Sequence, residues 1–235
     1  MENKKKLVGL ASPAKLFEND NVYADRYMFT NTYGARVRDA GGIPVGIIPI
    51  DGYVTEEQLE FCDSFVLCGG TGIKPYYIQI IYYAVRNKKK LLGICLGMQS
   101  IYAYFKTVEI AKNIGYSGDM VSLFSELNKD EDPFRRNVDG HRPYEIMPRG
   151  KEDLTKHKVF LEAESNISRI LGTNLVLGAS LHVLCVGEPI PSVKFTGRAE
   201  DGVVEALEYI DFIIGTQFHP DVDDKLIPLF SFLLE

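Results

Sequence analysis

Short apolar runs, each followed by a helical stretch, constrain this chain more than any other feature. Leu7–Ala11, Phe65–Cys68 and Leu91–Ile94 hold only apolar residues and glycine, with no polar alternation. A strand with one wet face alternates apolar and polar side chains; a strand covered on both faces need not. Between these runs the period changes. Tyr27–Ala40 spaces its apolar residues three to four apart and ends at Gly41-Gly42, after which Ile43–Ile48 reads as a strand. Thr55 and Gln58 form a capping-box pair that opens a further helix. Pro75–Arg86 and Leu96–Tyr104 are also read as helices, and Lys88–Lys90 as a charged turn. Alternating strands and helices imply an α/β fold with a largely parallel sheet covered by helices on both faces.

The second half differs in texture. Gly115–Gly150 is polar, contains Pro133, Pro143 and Pro148, and reads as loops. Val159–Glu162, Leu175–Gly178, Val193–Thr196, Val203–Glu208 and Phe212–Gln217 are expected to be strands, and Asp223–Leu234 a closing helix. No repeat and no linker divides the 235 residues, so one domain with a mixed sheet is expected over residues 1–235.

Composition enters through what it excludes. No apolar run approaches the ~18 residues of a membrane-spanning helix. The basic stretch Met1–Lys6 precedes only Leu7–Ala14, without a convincing cleavage site, so no secretory leader is expected. A formal charge of −6 argues against a nucleic-acid partner. Cys62, Cys68, Cys95 and Cys185 are scattered rather than arranged as a framework, which suits a reducing compartment and a cytoplasmic location.

Cys95 stands apart from the other three. Gly93-Ile94-Cys95-Leu96-Gly97 has the form Gly-x-nucleophile-x-Gly between a buried strand and a helix. Small residues on both sides permit the sharp turn that presents a nucleophile at the strand's carboxyl end. The helix N-terminus beyond it favours a thiolate. A base is expected at His219, within Gln217-Phe218-His219-Pro220-Asp221 just past another apolar strand, with Asp221 placed to turn back onto the ring. One oxyanion donor is expected from the Leu96 N–H and another from Gly69-Gly70-Thr71-Gly72, where glycine lets backbone approach a substrate. Cys62, Cys68 and Cys185 are read as packing residues, and His141 and His157 as surface histidines. No histidine pair has metal-ligand spacing, so neither a metal nor another cofactor is expected. Arg135-Arg136 and His141-Arg142 are candidates to meet a substrate carboxylate.

These motifs resemble the class I glutamine amidotransferase-like superfamily. Gly93–Gln99 resembles its nucleophile motif, and Phe218–Asp221 its His-Pro-Glu signature. Within it the chain is most similar to the γ-glutamyl-γ-aminobutyrate hydrolase (peptidase C26) group. The carrying segments are Ala40–Val45, Gly69–Pro75, Ser180–His182 and Asp201–Ala206. The resemblance implies a flavodoxin-like α/β/α sandwich and amide hydrolysis at a γ-glutamyl carbonyl. It implies Cys95 as nucleophile, His219 as base, Asp221 as its orienting carboxylate, and the amides of Gly70 or Thr71 and of Leu96 as the oxyanion hole. It further implies that Gln99, Ser180, Leu181 and His182 line the glutamyl site. The chain departs from the pattern in carrying Asp221 for Glu, Leu96 for the hydrolases' Arg, and Gly72 for Asp.

Three functional readings follow. The first is a stand-alone hydrolase of small γ-glutamyl amides acting through a thioester. The second is a glutaminase subunit that delivers ammonia to a partner synthase. The third is a catalytically degenerate binding protein. A homodimer is compatible with each.

Overall fold

The computed structural model describes residues 4–16 and 21–235, so Met1–Asn3 of the basic N-terminal stretch lie outside the described residues. In chain order the elements are β1 (Leu7–Ala11), β2 (Ala14–Lys15), β3 (Arg26–Tyr27), α1 (Asn31–Asp39), β4 (Ile43–Ile47), α2 (Glu56–Glu60), β5 (Ser64–Leu67), α3 (Pro75–Asn87), β6 (Lys90–Ile94) and α4 (Leu96–Ile114). They continue with α5 (Met120–Leu127), β7 (Arg135–Asn137), β8 (Lys156–Leu161), α6 (Asn166–Leu171), β9 (Leu175–Ala179), β10 (Leu184–Val186), β11 (Lys194–Ala199), β12 (Val204–Tyr209), β13 (Ile213–Thr216) and α7 (Pro228–Ser231).

Among the described residues nine strands form one sheet in the order β4-β1-β5-β6-β13-β12-β11-β8-β9. The pairings from β4 to β13 are parallel and those from β13 to β9 antiparallel. The continuous apolar runs explain the centre: every residue of β5 and β13 is buried, and so is all of β6 beyond Lys90. One face packs against α3, α4 and α5 through Tyr76, Tyr77, Met98, Ile101 and Phe124. The other packs against α1, α6 and α7 through Tyr33, Val37, Ile167 and Leu229. This is the flavodoxin-like three-layer arrangement. No helix among the described residues is long and apolar enough to cross a membrane.

The early elements match expectation closely, including the reciprocal Thr55–Gln58 capping box. Three differences have physical causes. The helix after Cys95 runs on to Ile114, where Gly115 closes it in the left-handed conformation. The polar segment 115–150 is not all loop: Asp119 accepts from the Ser122 N–H to cap α5, and β7 pairs antiparallel with β10. The closing helix is broken into short turns around α7, whose first residue, Pro228, has no N–H to continue a preceding helix.

Candidate active site

The turn between β6 and α4 carries the central residue. Cys95 has φ 54° and ψ −106°, a conformation side chains avoid, and its N–H donates to the Thr216 carbonyl at 2.7 Å. The flanking glycines are sterically required. A Cβ at Gly97 would lie 2.2 Å from the Leu67 carbonyl oxygen, and one at Gly93 2.6 Å from the Gly97 backbone. The Gly-x-Cys-x-Gly spacing therefore lets α4 start hard against β5, leaving the Leu96 N–H among the helix's unpartnered first donors.

β13 is the neighbour of β6, and it delivers His219 to the same sheet edge. The His219 N–H donates to the Ala179 carbonyl at 2.9 Å, which fixes the turn after β13. Its Nδ1 lies 3.0 Å from Asp221 Oδ1, so the shorter carboxylate does reach the ring. Asp221 is buried and also accepts from Thr32 Oγ1 at 2.6 Å. Arg36 Nε donates to the Asp221 carbonyl at 3.0 Å. Burial alone would lower the His219 pKa; the Asp221 carboxylate, together with the neighbouring Cys95 sulfur, outweighs it and holds the ring well above the ordinary histidine range. Burial pushes the other three thiols upward, Cys62 to about 11, in keeping with their reading as packing residues.

Gly69 sits between Cys95 and His219. A Cβ there would fall 3.1 Å from His219 Cε1 and 3.4 Å from Cys95 Cβ. Its N–H donates to Tyr33 Oη at 2.9 Å, so this amide is already engaged. Gly70 and Thr71 instead line a 130 Å³ cavity together with Cys95, Gln99, Arg135, Arg142, Leu181 and His182. Arg135 organises one wall: Nη1 donates to the Thr71 carbonyl at 2.9 Å and to Gln99 Oε1 at 3.1 Å, while Nε pairs with Asp132 at 2.5 Å. Gln99 Nε2 donates to Gln217 Oε1 at 3.0 Å and to the Leu184 carbonyl at 2.9 Å. A second cavity of 370 Å³ opens on the other side of His219, between Thr32, Tyr33, Arg149, Glu152 and Asp221. Leu181 lines both and stands as the partition. A larger cleft of 660 Å³ is bounded by Lys88, Lys90, Arg169 and Phe232 and holds none of these residues.

Several expectations need correction. Ser180 does not line the cavity; it is buried and its Oγ donates to the His141 carbonyl at 2.6 Å. His182 borders the cavity, but Nδ1 faces the Leu184 carbonyl at 3.0 Å and Nε2 faces Glu205 at 3.2 Å, so neither nitrogen is free for a substrate. His141 is buried rather than at the surface, while His157 is partly exposed. Both approach Glu205 with His182, although no two of the three are close in sequence. Thr32, Tyr33 and Gln217 escaped sequence reasoning. The first two sit on α1, nearly 190 residues from Asp221, and no spacing signal links them to it.

Comparison with known proteins identifies the family. The chain is 25% identical to the glutamine amidotransferase-like protein RP404 of Rickettsia prowazekii (strain Madrid E), over 85% of each chain. It is 29% identical to the CTP synthase of Thermosipho africanus (strain TCF52B) over 77% of its own length, but spans only 38% of that enzyme. The Trypanosoma brucei CTPS glutaminase domain with bound acivicin shares the fold at TM-score 0.60 and 16% identity, over 97% of this chain and 91% of that one. Residues 6–80 and 76–221 match the Peptidase C26 family across both the glycine loop and the Cys95–His219 edge, and the chain belongs to that family.

Proposed function

We propose that the chain hydrolyses the amide bond of a small γ-glutamyl compound, with Cys95 as nucleophile, His219 as proton carrier and Asp221 as its anchor. The observation that carries this reading is the meeting of a strained elbow cysteine with a largely buried histidine whose far nitrogen is held by a carboxylate. In this reaction His219 takes the Cys95 thiol proton, and the sulfur attacks the γ-carbonyl carbon, forming a C–S bond and an oxyanion. The amides of Leu96 and of Gly70 or Thr71 stabilise that oxyanion at the helix start. The His219 imidazolium gives a proton to the leaving nitrogen, the C–N bond breaks, and the thioester remains. Water, deprotonated by His219, then cleaves the thioester and regenerates the thiol. Asp221 keeps the ring oriented through both halves. Arg135 and Arg142 line the cavity, paired with Asp132 and Glu145, and offer guanidinium N–H donors to the glutamyl α-carboxylate.

The test is release of amine or ammonia from a panel of γ-glutamyl amides, glutamine included. Cys95→Ala is expected to lower turnover by about 10⁴-fold or more with the fold retained; a fully active Cys95→Ala protein would refute the assignment.

A second reading is favoured by one observation: the chain matches part of a CTP synthase and shares its fold with a CTPS glutaminase domain. On this reading the chain is the glutaminase partner of a separate synthase. Glutamine turnover by the isolated chain is then weak and rises sharply when the synthase is added. Robust turnover in isolation supports the stand-alone hydrolase.

A further inference from the structure

The catalytic edge uses one of the four histidines. The other three converge on Glu205, a residue of β12 with no exposed surface. Glu205 Oε1 lies 3.1 Å from His141 Nδ1, 3.4 Å from His157 Nε2 and 3.2 Å from His182 Nε2. Only the His182 contact has hydrogen-bond geometry. His141 Nδ1, His157 Nε2 and Glu205 Oε2 are buried atoms without a hydrogen-bond partner. Such orphans are costly unless something else completes them. The rings of His141 and His157 stand edge to face, with centroids 4.9 Å apart at 80°, rather than stacked.

We propose that His141, His157 and Glu205 bind a zinc ion. One ligand atom from each lies within 4.8 Å of the others. Ligands at about 2.0–2.1 Å around a tetrahedral zinc lie roughly 3.3–3.4 Å apart, close to the 3.1 and 3.4 Å separations of the two ring nitrogens from Glu205. Two imidazoles and a carboxylate suit zinc; magnesium and calcium favour all-oxygen surroundings. The outer contacts are those of a metal-bound histidine. Asp201 Oδ2 is 2.9 Å from His141 Nε2, so the proton belongs on Nε2 and the lone pair on Nδ1. His182, whose Nδ1 faces the Leu184 carbonyl at 3.0 Å, brings Nε2 to 3.2 Å from Glu205 Oε1 and helps to fix the carboxylate. The ion would pin the loop carrying His141 to strands β8 and β12. Arg142, the next residue, lines the Cys95 cavity, so zinc would set the position of a substrate-facing guanidinium without touching the bond being broken. This goes beyond the amide hydrolysis proposed above and does not depend on it.

The experiment is zinc titration of the chelator-stripped full chain, read by zinc retained after gel filtration, by Tm, and by the visible absorption of the cobalt-substituted protein. Expected results are about one zinc per chain, a rise in Tm, and a tetrahedral cobalt spectrum. The same retention is expected in Cys95→Ser, because the site does not involve that sulfur. His157→Gln should lose the retained zinc. Asp201→Asn, a conservative change at a half-exposed side chain, should fold and weaken zinc binding about 10–100-fold. Absence of retained zinc in the wild-type chain overturns the proposal. So does equal retention in wild type, His157→Gln and Asp201→Asn, or loss of zinc in Cys95→Ser.

Discussion

At the scale of single residues, Arg135 shows how one side chain couples separate parts of the site. It joins the glycine loop, through the Thr71 carbonyl, to Gln99 on α4, and its charge is balanced by Asp132. Removing a charged donor of this kind forfeits about 1.5–3 kcal/mol of interaction. Arg135→Ala should therefore raise KM for a γ-glutamyl amide and lower kcat/KM by roughly 10–100-fold, with a smaller effect on kcat. Steady-state kinetics on the variant check this; an unchanged KM would place the substrate carboxylate elsewhere. The residues readable from sequence were those with a local signature. Cys95 is flanked by glycines, and His219 and Asp221 are two apart. Thr32 and Tyr33 touch Asp221 and Gly69 only because α1 folds across the sheet edge. The Glu205 cluster hid for the same reason, since its histidines come from three separate segments.

At the scale of elements, the decisive contact is the first turn of α4 against β5. Gly97 lies where a Cβ would be 2.2 Å from backbone, which cannot shift as a side chain can. Gly97→Ala should destabilise the protein by about 3 kcal/mol, an overpacking cost at the upper end of the usual range. Gly72, in the loop after β5, has open space around it, with nothing within 4 Å of where a Cβ would sit. Gly72→Ala should therefore change stability by less than about 0.5 kcal/mol. Urea unfolding of the two variants side by side tests the contrast. Strands β5, β6 and β13 were legible because burial on both faces leaves a run that is apolar but for one end residue. Helix α5 was harder to see: its eight residues sit in a proline-bearing polar segment, and its clearest mark is the Asp119 cap. The C-terminal segment carries helical apolar spacing, but spacing does not register the missing N–H of Pro228.

At the scale of the whole molecule, the His219–Asp221 pair leaves a mark on stability. His219 has a folded pKa well above its ordinary value, because Asp221 and Cys95 outweigh burial. A group raised on folding stabilises fully below its unfolded pKa, about 6.5 for histidine, and loses that contribution as pH rises through the folded value. Stability should therefore decline as pH is raised above neutrality. Asp221→Asn should flatten that decline; equal slopes in urea titrations across the alkaline range would contradict it. Cys95 also bears on stability, through its backbone. A side chain held at φ 54° and ψ −106° costs roughly 1–3 kcal/mol, against a net folding free energy of only about 5–15 kcal/mol. Glycine would relieve that strain, offset in part by its greater freedom in the unfolded chain. Cys95→Gly should consequently be about 1 kcal/mol more stable than Cys95→Ala, measured as a difference in urea midpoint. Retiring the elbow would thus make a sturdier protein. A passive receptor has no use for that strain; under the proposed amide hydrolysis it is the cost of presenting the thiol at the sheet edge.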